Sequence, residues 1–258
     1  MLTALNAVLL GIVEGITEFL PISSTGHLVL ASDLLKIAQT DFVKSFEIAI
    51  QLGATLSVVV LYWQRVIVNW EIWKRIAAAF IPTAVLGAIF YKIIKGFLLG
   101  NNTVIVYSLL IGGILIILFE WLYKEKETDI KEIEKIPLTK AAYIGIFQSV
   151  AMIPGVSRSA ATILGGMALG VNRKTIVEFS FLLAAPTMLA ATGLDLLKSG
   201  GSFTGGELGI LLIGFIVSFV IAILAIKFLL QFIKNHTFTS FGIYRIVLAL
   251  LFIFLILK

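Results

Sequence analysis

The sequence contains no cysteine, which excludes disulfides, thiolate metal sites and iron–sulfur clusters and leaves the redox compartment undetermined. Charge is nearly as scarce. Only 14% of the 258 residues are Asp, Glu, Lys or Arg, against roughly 25% in soluble domains, and mean hydropathy is +1.06. A soluble globular protein is thereby excluded. Histidine occurs twice, so imidazole chemistry has few places to sit. What is abundant is apolar: 59% of the chain is hydrophobic, enough for about six or seven crossings at about 20 residues each. Net charge is +5, but the basic residues fall in short loops, where membrane topology accounts for them without nucleic acid. The first apolar stretch carries Glu14 and Glu18 and lacks a basic start, which makes it a poor signal peptide.

The gaps between charges mark the crossings. Uncharged runs cover Ile48 to Gln64, Ile76 to Tyr91, Gly96 to Phe119, Phe179 to Leu194 and Leu208 to Ile226, and a sixth apolar span, Thr239 to Leu257, holds Arg245 near its start. Two further hydrophobic stretches are interrupted. Residues 2–35 are broken by Pro21-Ile22-Ser23-Ser24-Thr25-Gly26, and residues 140–170 by Pro154-Gly155-Val156-Ser157-Arg158-Ser159. Each half is too short to cross, and irregular backbone at membrane depth survives only where protein buries it or a cavity wets it. Both stretches therefore read as re-entrant helix–loop–helix hairpins. The expected fold is an all-α membrane protein of six transmembrane helices and two re-entrant hairpins.

The order hairpin, three spans, hairpin, three spans suggests a duplication. Gly11-Ile12 aligns with Gly145-Ile146, Glu14 with Gln148, Ser23 with Ser157 and Thr25 with Ser159 at one constant offset, with Pro21 and Pro154 one residue off it. A single membrane domain, 1–258, then divides into repeat one, 1–123, a linker, 124–139, and repeat two, 140–258. An odd number of crossings per repeat turns the second copy upside down, and inverted repeats place broken helices face to face near the midplane. Orientation follows from charge. Twelve of the 20 basic residues (Arg65, Lys74, Arg75, the lysines from Lys124 to Lys140, Arg173, Lys174, Lys227 and Lys234) fall on one side. Six (Lys36, Lys44, Lys92, Lys95, Lys198 and Lys258) fall on the other. The positive-inside rule makes the first side cytoplasmic and places both termini outside. The mixed charges of Tyr123 to Lys140 read as a solvated surface.

Ionisable residues inside a bilayer cost about 2.5 to 3.5 kcal/mol even on the permissive insertion scale and mark function. Glu14 and Glu18, four apart on a helix, project from one face, a spacing suited to a hard cation such as Mg²⁺ or Ca²⁺ shared with substrate phosphates. The segment Pro21 to His27 offers Ser23, Ser24, Thr25 and His27 at the start of the second short helix, where free amides favour anions. His27 is the better histidine for acid–base work. Arg158, between Ser157 and Ser159 and one turn before Thr162, is a planar guanidinium among hydroxyls, a phosphate-binding arrangement. Arg245 reads as snorkelling toward the interface.

EGITEFLPISSTGH (Glu14–His27), PGVSRSAAT (Pro154–Thr162) and FGIYRIVLAL (Phe241–Leu250) together resemble the undecaprenyl-diphosphate phosphatase family, the integral-membrane bacitracin-resistance type, over the whole length. The resemblance implies an active site of Glu14, Glu18, Ser24, His27, Ser157, Arg158 and Thr162, a divalent metal, and release of inorganic phosphate from a polyprenyl diphosphate lipid. In the second hairpin Gln148 and Met152 replace the two acids, so the chemistry reads as asymmetric: metal or base from repeat one, phosphate clamp from repeat two, with Ser23, Thr25 and Ser159 completing the substrate contacts. Ser24 assisted by His27, His27 itself and a metal-activated water all remain as the attacking group. The expected pocket lies near the midplane and opens to the outer face. A secondary transporter or lipid-carrier flippase is the competing class, since it shares the inverted-repeat architecture, but transport does not require Ser and His beside an acid pair and an anion clamp. The assembly is left open, a homodimer included.

Overall fold

A computed structural model describes residues 2–98, 100–199 and 204–256. Among the described residues ten α-helices follow one another: α1 (Ala4–Thr17), α2 (Ser24–Leu34), α3 (Asp41–Val68), α4 (Trp70–Ile93), α5 (Asn102–Leu122), α6 (Leu138–Ser149), α7 (Arg158–Ala168), α8 (Arg173–Ser199), α9 (Gly205–Phe232) and α10 (Thr239–Ile256). No strand occurs among the described residues; one isolated parallel bridge joins Ile130 and Val171. Helices α3, α4, α5 and α9 are long and apolar enough to cross a membrane. Large apolar side chains such as Leu5, Ile89 and Trp121 stand exposed on the outside, a surface that water would not tolerate and lipid does. The chain is a multi-pass, all-helical membrane protein.

Local chemistry sets the boundaries. Thr3, Thr40 and Asn69 cap α1, α3 and α4 by accepting the backbone N–H groups of Asn6, Val43 and Glu71, which satisfies donors that the first turn leaves free. The third expected span is shifted. It does not run from Gly96: the chain passes through a π-helical turn at Ile94–Leu98, Gly100 takes φ +78°, and Asn101 caps a new helix at Thr103 and Val104. An apolar run does not reveal such a break, because capping is independent of hydropathy. Leu257 and Lys258, the expected end of the last span and the last of the outer lysines, lie outside the described residues.

Both interrupted stretches are helical on either side of a break, α1 with α2 and α6 with α7. The first hairpin packs against α9 and the second against α4. A Cβ on Gly15 would lie 2.7 Å from the Ser218 carbonyl oxygen, and one on Gly113 would lie 2.7 Å from that of Gly242. Only glycine lets α1 approach α9, and α5 approach α10, this closely. Phe19, at the first break, meets Phe181 of α8 edge to face at 5.3 Å between ring centres.

The charged linker is more than a solvated surface. Ile133 and Ile136 are fully buried, the Ile130 backbone donates to Gly170 and accepts from Asn172, and Tyr123 donates to Asp129 at 3.0 Å. Glu120 pairs with Arg173 and also accepts the Phe238 N–H at 2.9 Å. The regularly spaced isoleucines of this segment carry that information, but the density of charge around them masks it.

Candidate active site

Helix α1 ends in the acid pair. Glu14 is fully buried, and neither carboxylate oxygen has a hydrogen-bond partner among the described residues. Glu18, one turn on, is also buried, but both its oxygens are engaged. Oε1 accepts from Arg158 Nη2 at 3.1 Å and Oε2 accepts from Ser24 Oγ at 2.7 Å. This ion pair joins residues of the two hairpins that are far apart in sequence. Desolvating both partners is costly, so such a pair forms only where further hydrogen bonds complete it. Here Arg158 Nη1 donates to the Ser180 carbonyl of α8 at 2.8 Å, while Arg158 Nε is buried without a partner among the described residues.

The breaks have matching geometry. Ser23 and Ser157 take φ of +73° and +74°, a left-handed region that costs a residue with a Cβ about 1–3 kcal/mol and clusters at functional sites. Each then caps the next helix: Ser23 Oγ accepts from Gly26 N–H at 3.4 Å, and Ser157 Oγ from Ala160 N–H at 3.3 Å. The strain turns the chain sharply enough for a second half-helix to start at the tip.

Between the tips lies a cavity of about 100 Å³ lined by Glu18, Ser23, Ser24, Thr25, Gln51, Ala151, Gly155, Ser157, Arg158 and Met188. Six of the residues singled out from sequence, Glu18, Ser23, Ser24, Thr25, Ser157 and Arg158, thus meet in one place. The other four are outside that lining. Glu14 lies one turn deeper on α1; Ser159 is fully buried with its Oγ 3.3 Å from Ser157 Oγ; Thr162 Oγ1 donates back to the Arg158 carbonyl at 2.8 Å. His27 is held at both ring nitrogens, Nδ1 2.7 Å from the Ser23 carbonyl and Nε2 2.7 Å from the Tyr244 hydroxyl. A carbonyl can only accept, so Nδ1 carries the proton, and Nε2 of a neutral ring accepts from the Tyr244 hydroxyl. The expected Ser24–His27 pairing is therefore corrected: the partner of the Ser24 hydroxyl is Glu18. Neighbours in sequence at a helix start point to different sides, and His27 points away.

Gln51 of α3, Ser180 and Met188 of α8, and Tyr244 of α10 were missed. Gln51 left a signal, an amide inside an apolar span; Tyr244 stands within the segment FGIYRIVLAL, but nothing local links it to His27. The second hairpin has no matching acid site. Gln148 Nε2 donates to Thr83 Oγ1 at 3.1 Å and to Thr187 Oγ1 at 3.3 Å, a neutral network where the first hairpin has charge. Arg245 is also corrected. It does not snorkel but is fully buried, because its guanidinium turns inward onto backbone carbonyls. For a metal, the acidic donors are Glu14 and Glu18, and no group of three or more Asp, Glu, His or Cys that could hold an ion occurs among the described residues.

The family model described as bacitracin resistance protein BacA matches residues 7–251. A protein of Aquifex aeolicus named undecaprenyl-diphosphatase is 59% identical over 97% of this chain and 98% of its own length. Proteins of the same name from Sulfurihydrogenibium sp. and Thermus thermophilus are 53% and 45% identical, over 97% and 99% of this chain and 98% of each relative. With similarity of that extent running through both hairpins and every long helix, the chain belongs to the bacitracin resistance protein BacA family.

Proposed function

We propose that this protein is an undecaprenyl-diphosphate phosphatase, hydrolysing the lipid diphosphate to the monophosphate and inorganic phosphate and so recycling the lipid carrier for cell-envelope synthesis. The observation that carries this reading is the contact of Glu18 with both Ser24 and Arg158 in a cavity between two hairpins. A proton acceptor, a nucleophile and an anion clamp meet there. A transporter or flippase has no use for the hydroxyl–carboxylate pair, and the names of the relatives favour hydrolysis.

In the mechanism we infer, Ser24 Oγ attacks the terminal phosphorus while its proton passes to Glu18 Oε2. The bond from phosphorus to the bridging oxygen breaks, and the lipid monophosphate leaves with the proton from Glu18. Water then attacks the phosphoserine, giving its proton to Glu18, which returns it to Ser24 as phosphate departs. Phosphoryl transfer depends mainly on positioning and charge stabilisation. Arg158 supplies these through its unpartnered Nε and through the Nη2 now on Glu18, in bidentate contact with phosphoryl oxygens. Ser157, Ser23 and Thr25 line the same space and offer hydroxyls to the head group. Ser159 and Thr162 support the start of α7 from behind, and His27 holds the Ser23 carbonyl.

Mg²⁺ or Ca²⁺ fits the donor set. Glu14 presents two buried oxygens without partners among the described residues beside Glu18, and such cations use one or two carboxylates together with substrate phosphates and water. When bound there, the ion would neutralise diphosphate charge.

The reading includes six crossings, with α8 and α10 joining α3, α4, α5 and α9, and two re-entrant hairpins in inverted repeats 1–123 and 140–258 joined by linker 124–139. The matched strain at Ser23 and Ser157, and the packing of each hairpin on a long helix of the other half, support it. Both termini then lie outside and the pocket opens to the outer face, where a head group enters while its prenyl tail stays in lipid. Phosphate release from a long-chain prenyl diphosphate by the purified protein, with and without chelator, tests the reading. No release under either condition refutes it.

A further inference from the structure

Arg245 carries a charge to the centre of the molecule, and no acidic side chain pairs with it among the described residues. Instead its three nitrogens donate to backbone carbonyls of three separate segments. Nη1 reaches Val156 at 2.9 Å and Pro21 at 3.4 Å, Nη2 reaches Gly155 at 2.8 Å and Ser108 at 2.9 Å, and Nε reaches Leu109 at 3.4 Å. Pro21 belongs to the first break, Gly155 and Val156 to the second, and Ser108 and Leu109 to α5. Carbonyls at a chain break lack a helical donor, and buried ones require a partner. One planar fork supplies it to both loops at once.

We propose that Arg245 is a positioning residue that sets the gap between the two hairpin tips and thereby the width of the phosphate pocket. The acceptors stand one or two residues ahead of the two strained serines, Pro21 before Ser23, and Gly155 and Val156 before Ser157. Across a trans peptide the N–H lies opposite the C=O. With the Val156 carbonyl on Arg245, the Ser157 N–H is therefore directed away from the guanidinium. A guanidinium presents its donors in a fixed plane, so it fixes the acceptors relative to one another; an ammonium, a single point of charge, does not. This inference rests on the phosphatase reading for its consequence but not for its geometry.

Two variants test it without altering the pocket lining. Arg245→Lys keeps the charge and loses the fork. Gly112→Ala leaves Arg245 intact, but a Cβ there would fall 2.8 Å from the Arg245 Cζ and push the guanidinium aside. The chain has no native cysteine, so spin labels on Ile16→Cys and Ile153→Cys, both exposed residues on opposite hairpins, report the tip separation in the full-length protein. In both variants the label distance should lengthen or broaden. The kcat/KM for a polyprenyl diphosphate, measured per folded molecule, should fall on the order of a hundredfold, as for a misplacement of about 1 Å, and inhibition by inorganic phosphate should weaken, while the thermal midpoint also falls because buried loop carbonyls lose a donor. Unchanged label distances in folded variants would overturn the proposal, as would parental turnover per folded molecule. Should Arg245→Lys fail to fold, Gly112→Ala decides. If the parent protein releases no phosphate while the label distances still shift, the phosphatase reading falls and the loop-spacing role stands.

Discussion

Replacing Glu18 by Gln separates the two tasks that the proposed mechanism gives to one carboxylate. The amide keeps the shape and can still accept from Ser24, but it takes no proton and no longer neutralises Arg158. Loss of a general base costs about 10²–10⁴ in rate, or about 3–5 kcal/mol at 1.36 kcal/mol per decade. Leaving a buried arginine without its counter-ion costs about 3–5 kcal/mol of stability, which lowers the thermal midpoint. The two losses appear in different assays: single-turnover phosphate release on protein shown to be folded, and thermal unfolding in detergent. The decisive comparison is a double-mutant cycle with Ser24→Ala. Two groups that act on one proton give strongly non-additive effects, so the double variant should be about as slow as the slower single one, and a trapped phosphoprotein should vanish with Ser24→Ala. Additive losses, or full activity of Ser24→Ala, would refute Glu18 acting through Ser24 and leave water as the attacking group.

Arg158→Lys should lose about a hundredfold in turnover, the roughly 3 kcal/mol expected for one transition-state donor, and near-normal kinetics in folded protein would reduce Arg158 to a structural ion-pair partner. Glu14→Gln should shift or abolish the divalent-cation dependence in a metal titration. Glu178→Gln should do less, since Glu178 lies outside both hairpins and pairs with the half-exposed Arg65 at 2.5 Å; equal behaviour of these variants would end the metal argument. Tags at either terminus should be reached by impermeant reagents from outside, and protease should cut Tyr123 to Lys140 only from the cytoplasmic side. A cytoplasmic C-terminus would contradict the charge-based orientation and the outer-face entry of substrate.

The sequence by itself determined a membrane protein, the existence of its long helices with ends displaced by up to seven residues, and the two interruptions. Those properties depend on local quantities: the length of an apolar run, a proline, a glycine, a hydroxyl that caps a helix. Six of the ten residues named as site candidates meet at the cavity for a related reason, since an ionisable or hydrogen-bonding group in an apolar background is costly and collects where polar partners are buried together. Partnership was decided only in three dimensions. Ser24 is three residues from His27 yet bonds Glu18, because the rotation of one short helix sends the imidazole to Tyr244 of α10. Arg158 finds Glu18 across the whole first half of the chain, and Arg245 turns inward because two broken hairpins and α5 present buried carbonyls that nothing in its own helix foretells. The linker isoleucines Ile133 and Ile136 are buried by surfaces distant in sequence, while Gln51 became a pocket residue only when α3 was set beside both tips. Hydropathy and capping act over a few residues; the pairing of buried polar groups is a property of the packed whole, because each must be satisfied by whichever segment the fold brings within hydrogen-bond reach.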